Sequence, residues 1–394
     1  MTVDRCCEQL DPLDYQFQMR KTELNPSYVL SCRVRAARNL SGHRFPTACS
    51  AEERRTIEKL ATRALRMLKG DMQGSYFPLH GSNSYRKMHG GMSAEAQDQL
   101  LTTHLLFRKP SSAMEIAGGF HREWPDARGV FTNVAKEVVV WVNSTDHMRL
   151  MATRVGPDIQ SAFLRFCELH AALELAVKAQ HLDFLKTDRY GYISANPREI
   201  GTSLRATVLV RLPKLSQIPE FHELVGNLHL ECFADTIPGP LPAGQFVIGN
   251  SDRLRTDLQL VNCLIDGVDK LIQMEQALER GSKINNQLFA IRNAHDNENI
   301  YPKTPPFPEH KCPDTIPDLI DHHNLLARAL RAHPAAYHRY KAMNTQSGVP
   351  FARCLKTGVD VKGMPGTRMC GLVAGDEECY HLYHLRHNVT SWQK

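Results

Sequence analysis

The stretch that decides the predicted fold is VVVWVNSTDHMR, residues 138–149. Its first five residues are β-branched or aromatic, a composition typical of a strand that is buried on both faces. A polar turn follows, and Arg149 stands just beyond it. Upstream, residues 28–35 alternate in polarity, which predicts that Arg33 and Arg35 project from one face of another extended segment.

A third extended segment, residues 204–210, carries Arg205 near its start. A guanidinium buried in a sheet needs an anion, and a phosphate chain accepts bidentate hydrogen bonds from several of them at once. The pattern therefore favours a binding site for a phosphorylated ligand. Two alternatives stay open, namely that Arg33 and Arg35 are surface residues and that Arg149 and Arg205 form structural ion pairs.

The composition is that of a globular protein of two or three domains, with 394 residues, 42% hydrophobic and 23% charged residues, and a mean hydropathy of -0.37. The net charge of +6 comes from lysines and arginines that are scattered along the chain, so no nucleic-acid partner is expected. The eleven cysteines show no CxxC pair, which argues against a metal site or a disulfide framework. No apolar run is long enough to span a membrane, and we expect a cytoplasmic protein.

Strands and helices alternate along the first two thirds of the chain. Helices are predicted at residues 51–69, 93–106, 156–180, 221–227 and 257–278, and strands within residues 28–35, 74–79, 128–142, 190–210 and 228–232. Most strand pairings must be non-local. The pattern predicts an α+β fold in which an antiparallel sheet packs against helices, followed by a small all-α domain.

Several long motifs resemble one protein family. They are YVLSCRVRAARNL (28–40), EERRTIEKL (52–60), WPDARGVF (124–131), VVVWVNSTDHMRL (138–150), GYISANPREIGTSLRATV (191–208), RLPKLS (211–216) and GNSDRL (249–254). They resemble the ATP:guanido phosphotransferases, or phosphagen kinases, and creatine kinase more than arginine kinase. The resemblance implies reversible phosphoryl transfer between ATP and creatine or another guanidino compound.

The resemblance also implies a site. The positions that match the family's ATP-binding residues are Ser31, Arg33, Arg35, Arg149 and Arg205. In the family Mg²⁺ is held mostly by the phosphates and water, so no metal site built from protein side chains is expected. ATP or ADP with Mg²⁺ is the implied cofactor, and a nucleotide and a guanidino compound are the implied ligands.

Several positions depart from the family pattern where the chemistry takes place. The fifth phosphate-binding arginine is replaced by Cys232, the acidic pair before Asp-His by Ser144 and Thr145, and the reactive cysteine by Asn196. A hydroxyl at position 145 cannot act as a base near neutral pH. These changes predict that the catalytic set is not intact and that activity is weak or lost.

Other departures affect the adenine side, where Thr132 replaces a histidine and Val247 replaces an aspartate. Glu199, beside the lost cysteine, is the candidate to replace the missing carboxylate. His147 is predicted to be a hydrogen-bonded structural histidine.

The predicted domains are a leader at residues 1–27, a catalytic ATP-binding domain at 28–280, a proline-rich linker at 281–316 and a small helical domain at 317–394. The last domain resembles the family's N-terminal domain, which normally comes first. Three origins would give this reversed order. The chain could be a fragment of a tandem flagellar-type creatine kinase, a gene model out of register with such an array, or a circular permutant.

Residues 357–376 match the family's substrate loop, and Cys370 and Gly371 are its candidate lining residues. Arg368 puts a cation where the family pattern is apolar, and a cation repels a guanidinium. We therefore expect weak creatine binding and no competent lid within this chain. The rival hypothesis is a structural or interaction repeat of a longer flagellar or cytoskeletal protein, with an oligomer or a tandem-array neighbour as its partner.

Overall fold

The computed structural model describes residues 19–20, 23–233, 241–252, 255–282, 307–363 and 370–383. Most of the predicted leader and of the proline-rich linker lies outside these residues. So do Arg368 and the rest of the substrate-loop tip, residues 364–369. No described helix is long and apolar enough to cross a membrane.

An antiparallel sheet of eight described strands lies at the centre of the fold. In chain order these strands are β1 (Val29–Arg38), β2 (Gly74–Pro78), β3 (Gly129–Asn133), β4 (Val138–Val142), β5 (Met148–Val155), β8 (Arg205–Arg211), β9 (Leu230–Cys232) and β10 (Gln245–Asn250). The spatial order is β2-β3-β4-β5-β1-β8-β10-β9. A separate ribbon joins β6 (Lys186–Thr187) to β7 (Gly191–Tyr192).

Strand β1 lies in the middle of the sheet, between β5 and β8. Its register pairs Arg35 with Arg205 of β8 and Ala37 with Arg149 of β5. Side chains alternate along β1 as the sequence predicts, because Cys32 and the other even-numbered residues as far as Ala36 enter the main hydrophobic core. The sheet thus brings arginines from three strands to its opposite face.

Helices flank the sheet, as predicted. They are α1 (Ala51–Leu65), α2 (Ala94–Thr102), α3 (Ala113–Ala117), α4 (Ile159–Lys178), α5 (Phe221–Asn227) and α6 (Asp257–Glu279). Helix α1 begins with the expected capping box of Ser50 and Glu53 but ends at Leu65, before the predicted residue 69. Helices α4 and α6 contribute their apolar faces, including Phe163 and Leu264, to the main core.

The C-terminal part is helical, with α7 (Leu325–Ala332), α8 (Pro334–Tyr340), α9 (Phe351–Asp360) and α10 (Glu378–Leu382). We call its described residues, 307–363 and 370–383, the helical unit. Its core is shared with the sheet-containing part, because Phe45, Tyr190 and Ile193 belong to the same buried cluster as Tyr337 and Tyr380. The helical unit therefore packs against the rest of its own chain.

Polar contacts fix this packing. The Arg353 guanidinium Nε donates to the Thr47 carbonyl at 3.0 Å, and the Thr47 hydroxyl donates to the Ala374 carbonyl at 2.8 Å. The Ala374 amide donates to the Ala195 carbonyl at 2.8 Å, and the Tyr380 hydroxyl donates to the Ser194 carbonyl at 2.5 Å. The helical unit thus holds the chain segment that precedes Asn196.

Replacing Arg353 by methionine should destabilise the protein by about 3 kcal/mol, because the buried Thr47 carbonyl loses its donor and Glu309 loses its ion-pair partner at 2.8 Å. Chemical denaturation measures the change. The control is Arg328→Met on α7, an exposed arginine whose loss should cost no more than about 0.5 kcal/mol. Equal stability of the two variants would contradict the interface described above.

His147 is a structural histidine, as the sequence predicts. Its Nδ1 accepts a hydrogen bond from the Leu40 amide at 3.0 Å, and its Nε2 lies 2.9 Å from the Arg44 carbonyl. The ring is therefore a neutral imidazole with the proton on Nε2. Burial lowers the pKa of His147 to about 4.

This lowered pKa predicts a pH-dependent stability. Because the unfolded histidine takes up a proton near pH 6.5 and the folded one only near pH 4, the free energy of unfolding should fall by roughly 3 kcal/mol as the pH falls between these values. His170, whose pKa burial and Arg38 also lower, acts in the same direction. Denaturation across this range should show a shallower slope for His147→Gln than for the natural chain. Identical slopes would contradict the assignment.

Candidate phosphate-binding site

Four guanidinium groups converge on the face of the sheet opposite the main core. Arg33 and Arg35 come from β1, Arg149 from β5 and Arg205 from β8. Arg35 is only 6% exposed, and the side chains of Arg149 and Arg205 are each 13% exposed. The structure thus brings together the four arginines that the sequence singled out.

Glu199 lies between two of these arginines. Its Oε2 is 2.8 Å from Arg149 Nη2, and its Oε1 is 3.1 Å from Arg205 Nη2. A second carboxylate, Asp146, lies 3.4 Å from the same Arg149 nitrogen. Arg149 and Arg205 therefore both form ion pairs in this structure, and the carboxylate common to the two pairs comes from the loop after Asn196.

Asn196, which the resemblance predicts to replace the family's reactive cysteine, holds the turn that contains Glu199. A short 3₁₀ turn, Pro197–Glu199, follows it. The Asn196 side-chain oxygen accepts from the Arg198 amide at 3.0 Å, and its carbonyl accepts from the Glu199 amide at 2.9 Å. Asparagine is well suited to this capping role, and it supplies no thiolate.

The other two arginines line a small open cleft of about 50 Å³. Its lining residues are Ser31, Arg33, Arg35, His104, Thr207, Leu209 and Val247. Arg33 donates to the Thr153 hydroxyl at 3.2 Å and to the His104 carbonyl at 3.3 Å, both neutral acceptors. Among the described residues, no carboxylate forms an ion pair with Arg33 or Arg35.

The electrostatics of the cluster follow from this distribution. Burial lowers the pKa of Arg33 to about 10, and burial together with the neighbouring Arg205 and Arg149 lowers the pKa of Arg35 well below its ordinary value. Burial also acts to lower the pKa of Arg149, but Glu199 and Asp146 outweigh it and raise that pKa. Arg33 and Arg35, which line the cleft, thus carry positive charge that no ion pair with a described carboxylate neutralises, and this favours an anionic ligand.

Asp146, to which the sequence assigns no role, links several segments of the site through hydrogen bonds. It is buried, and its Oδ1 accepts from the Asn39 side-chain amide at 2.8 Å, the Ser194 hydroxyl at 2.9 Å and the Ala195 amide at 3.1 Å. Its other oxygen lies 3.4 Å from the Thr145 hydroxyl. Asp146 thereby joins the turn after β4 to the segment that leads to Asn196.

The Cys232 position does not supply a charge. Burial and the adjacent Glu231 raise the pKa of its thiol to about 12, so the sulfur is neutral. Glu231 pairs with Arg198 at 3.1 Å, and the Arg205 guanidinium lies 4.1 Å from the centre of the Phe233 ring. A cation, Arg198, is therefore held at the residue next to Cys232, where the resemblance predicts the loss of an arginine.

Cys370 and Gly371, the candidate substrate-loop residues, are held within the helical unit. The Cys370 carbonyl accepts from the Leu326 amide at 3.1 Å, and burial raises the pKa of its thiol to about 11. Gly371 has a positive φ of 74°, and a Cβ there would lie 2.7 Å from the Asn324 side-chain oxygen. The part of the loop after its tip is thus fixed, and Ala374 reaches Ala195 beside the site.

No group of three histidine, cysteine or carboxylate side chains that could hold a metal ion occurs in the part of the chain that the structure describes. Thr132 is buried, and its hydroxyl bonds to the Asn133 carbonyl at 3.2 Å. Val247 presents an apolar side chain to the cleft. At neither of these two positions, Thr132 and Val247, does the side chain present a free polar group with which to recognise an adenine base.

Two family models match the chain in separate segments. The model of the ATP:guanido phosphotransferase C-terminal catalytic domain matches residues 56–278, and that of the family's N-terminal domain matches residues 320–385. The two segments therefore occur in the reverse of the order that their names give.

Curated relatives are creatine kinases. The chain is 36% identical over 364 residues to the flagellar creatine kinase of Strongylocentrotus purpuratus, an alignment that covers 91% of this chain and 29% of that protein. It is 39% identical over 271 residues to the M-type creatine kinase of Gallus gallus, with 68% of each chain covered. The chain thus spans less than a third of the length of the flagellar relative.

Solved structures give the same fold. A crystal structure of lombricine kinase matches with a TM-score of 0.62 and 35% identity, covering 71% of this chain and 74% of that one. The duplicated taurocyamine kinase of Schistosoma mansoni with bound transition-state-analogue components matches with a TM-score of 0.56 and 32% identity, over 66% and 34% of the two chains. The motifs, the sheet and the two matched models agree, and the chain belongs to the ATP:guanido phosphotransferase family.

Proposed function

We propose that this protein binds nucleotide phosphates in the cleft beside Arg33 and Arg35, and that its phosphoryl transfer to guanidino compounds is weak or lost. The observation that carries the proposal is the pair of guanidiniums that line the cleft, Arg35 buried and Arg33 partly buried, neither of which forms an ion pair with a carboxylate among the described residues. Phosphate oxygens are the ligands that such groups bind best. Mg²⁺ would be held by those phosphates and water.

The weak activity follows from three positions. Thr145 carries a hydroxyl whose pKa is far too high for a general base near neutral pH. Asn196 is occupied in capping a turn. Glu199, the candidate replacement for the lost carboxylate, has both oxygens engaged with arginines. Asp146, next to Thr145, is engaged as well, because its oxygens contact Asn39, Ser194 and Arg149. Both carboxylates are therefore already paired within the chain.

The guanidino substrate is a second part of the proposal. The relatives named above are kinases of creatine, lombricine and taurocyamine. We infer that creatine itself binds weakly, because Arg368 adds a cation to the predicted substrate loop. The competence of that loop as a lid stays a prediction, since its tip lies outside the described residues.

A non-catalytic role in a longer protein is the alternative. It is favoured by the apolar Val247 in the cleft, which offers no polar contact to a base, and by the reversed order of the matched segments. The name of the Strongylocentrotus purpuratus relative supports a flagellar location for either role. In this alternative the partners are neighbouring repeats or further copies of the chain.

Nucleotide binding separates the two proposals. With Mg²⁺ and ADP at about a hundredfold the dissociation constant, the fold should gain ~2.7 kcal/mol, measured as a rise in melting temperature. Arg35→Met should remove this gain. The matched control is Arg154→Met on β5, which removes an arginine that pairs with Glu137 outside the cluster and should keep the gain. No stabilisation of the natural chain at millimolar nucleotide would favour the non-catalytic role.

Restoring a carboxylate tests why activity is low. Thr145→Glu should raise turnover with its best guanidino substrate by at least about a hundredfold, because it supplies the base that the hydroxyl cannot. A coupled assay of ADP production over a panel of guanidino compounds measures the change. Thr145→Gln, of the same size but without charge, should leave turnover low. Ordinary kinase rates in the natural chain, abolished by Arg205→Ala, would contradict the proposal of weakened activity.

A further inference from the structure

The arginine cluster has two parts, which we call the open half and the closed half. The open half consists of Arg33 and Arg35 on the cleft. The closed half consists of Arg149 and Arg205, which share the Glu199 carboxylate at 2.8 Å and 3.1 Å. The halves are continuous, because Arg35 lies directly opposite Arg205 in the pairing of β1 with β8.

Glu199 occupies the closed half as an anionic ligand would. Each of its carboxylate oxygens contacts a different guanidinium, and its side chain is only 10% exposed. A phosphate group that contacted Arg149 and Arg205 would have to take these positions from the carboxylate. The two anions cannot share them, because like charges at close range repel strongly in a site that excludes water.

The loop around Glu199 is held in place from both sides. Asn196 caps the 3₁₀ turn, Pro197–Glu199, that contains it. After it, the Gly201 amide donates to the Tyr190 carbonyl at 2.8 Å, and the Tyr192 amide donates to the Gly201 carbonyl at 2.7 Å. A phosphate that displaced the Glu199 carboxylate would therefore keep that carboxylate nearby, because the loop cannot release it to water.

We propose that Glu199 is a specificity-determining residue that stands in for a terminal phosphate group, so that the cleft binds a nucleoside diphosphate in preference to a triphosphate. This inference rests on the proposed nucleotide binding. The two guanidiniums of the open half can bind two phosphates by themselves. A third phosphate, extending the chain toward Arg205, has to compete with the carboxylate for the closed half.

Calorimetric titration with ADP and with ATP, both with Mg²⁺, tests the inference. The natural chain should bind ADP about tenfold more tightly than ATP. Glu199→Gln, which keeps the size of the side chain and removes its charge, should tighten ATP binding about tenfold and change ADP binding less than about threefold, so that the preference disappears. The matched control is Glu231→Gln, which removes a carboxylate paired with Arg198 and should keep the preference for ADP.

The outcomes distinguish a failure of this inference from a failure of the proposed nucleotide binding, on which it rests. If the natural chain binds ADP but Glu199→Gln shows the same ratio of affinities, or if the natural chain prefers ATP, the role of Glu199 is overturned while nucleotide binding stands. If neither protein binds either nucleotide, both proposals are overturned. A second measurement needs no variant, since pyrophosphate should bind the natural chain more tightly than tripolyphosphate, and the opposite order would overturn the inference.

Discussion

The constraint on which the site depends is the confinement of like charges in one sheet. Strand β1 places Arg33 and Arg35 on the same face, and its two neighbouring strands add Arg149 and Arg205. Four guanidiniums so close together repel one another, and burial strengthens the repulsion. Glu199 offsets part of this charge, and Asp146 offsets a further part at Arg149. The remaining excess lies at the cleft, where a ligand can reach it.

The charged groups around the site lie on several segments of the chain. The family resemblance predicts the loss of a cation at Cys232 and of anions at Ser144 and Thr145, while the loop after Asn196 carries a cation and an anion side by side, Arg198 and Glu199. Glu199 lies in the middle of the cluster, and Arg198 pairs with Glu231, next to Cys232. The structure thus pairs the charges of this loop with groups on strands β5, β8 and β9, which a comparison position by position does not show.

The reversed order of the two matched segments does not prevent their association. The helical unit packs against the sheet-containing part through a shared apolar core and through contacts such as Arg353 to Thr47 and Ala374 to Ala195. Such contacts depend on the shapes and polar groups of the two surfaces. They do not depend on which segment comes first along the chain. Through Ser194 and Ala195 the same contacts reach the loop that presents Glu199.

The sequence by itself determined the family, the antiparallel sheet with flanking helices and the four converging arginines, because strand alternation, helix caps and long motifs are local signals. Only the tertiary structure decided what the arginines contact. Glu199 lies in the loop that precedes β8, 50 residues from Arg149 along the chain, and no local pattern reveals a pairing over such a separation. The role of Asp146 was hidden for the same reason, since its partners Asn39 and Ser194 come from distant segments that only the fold brings together.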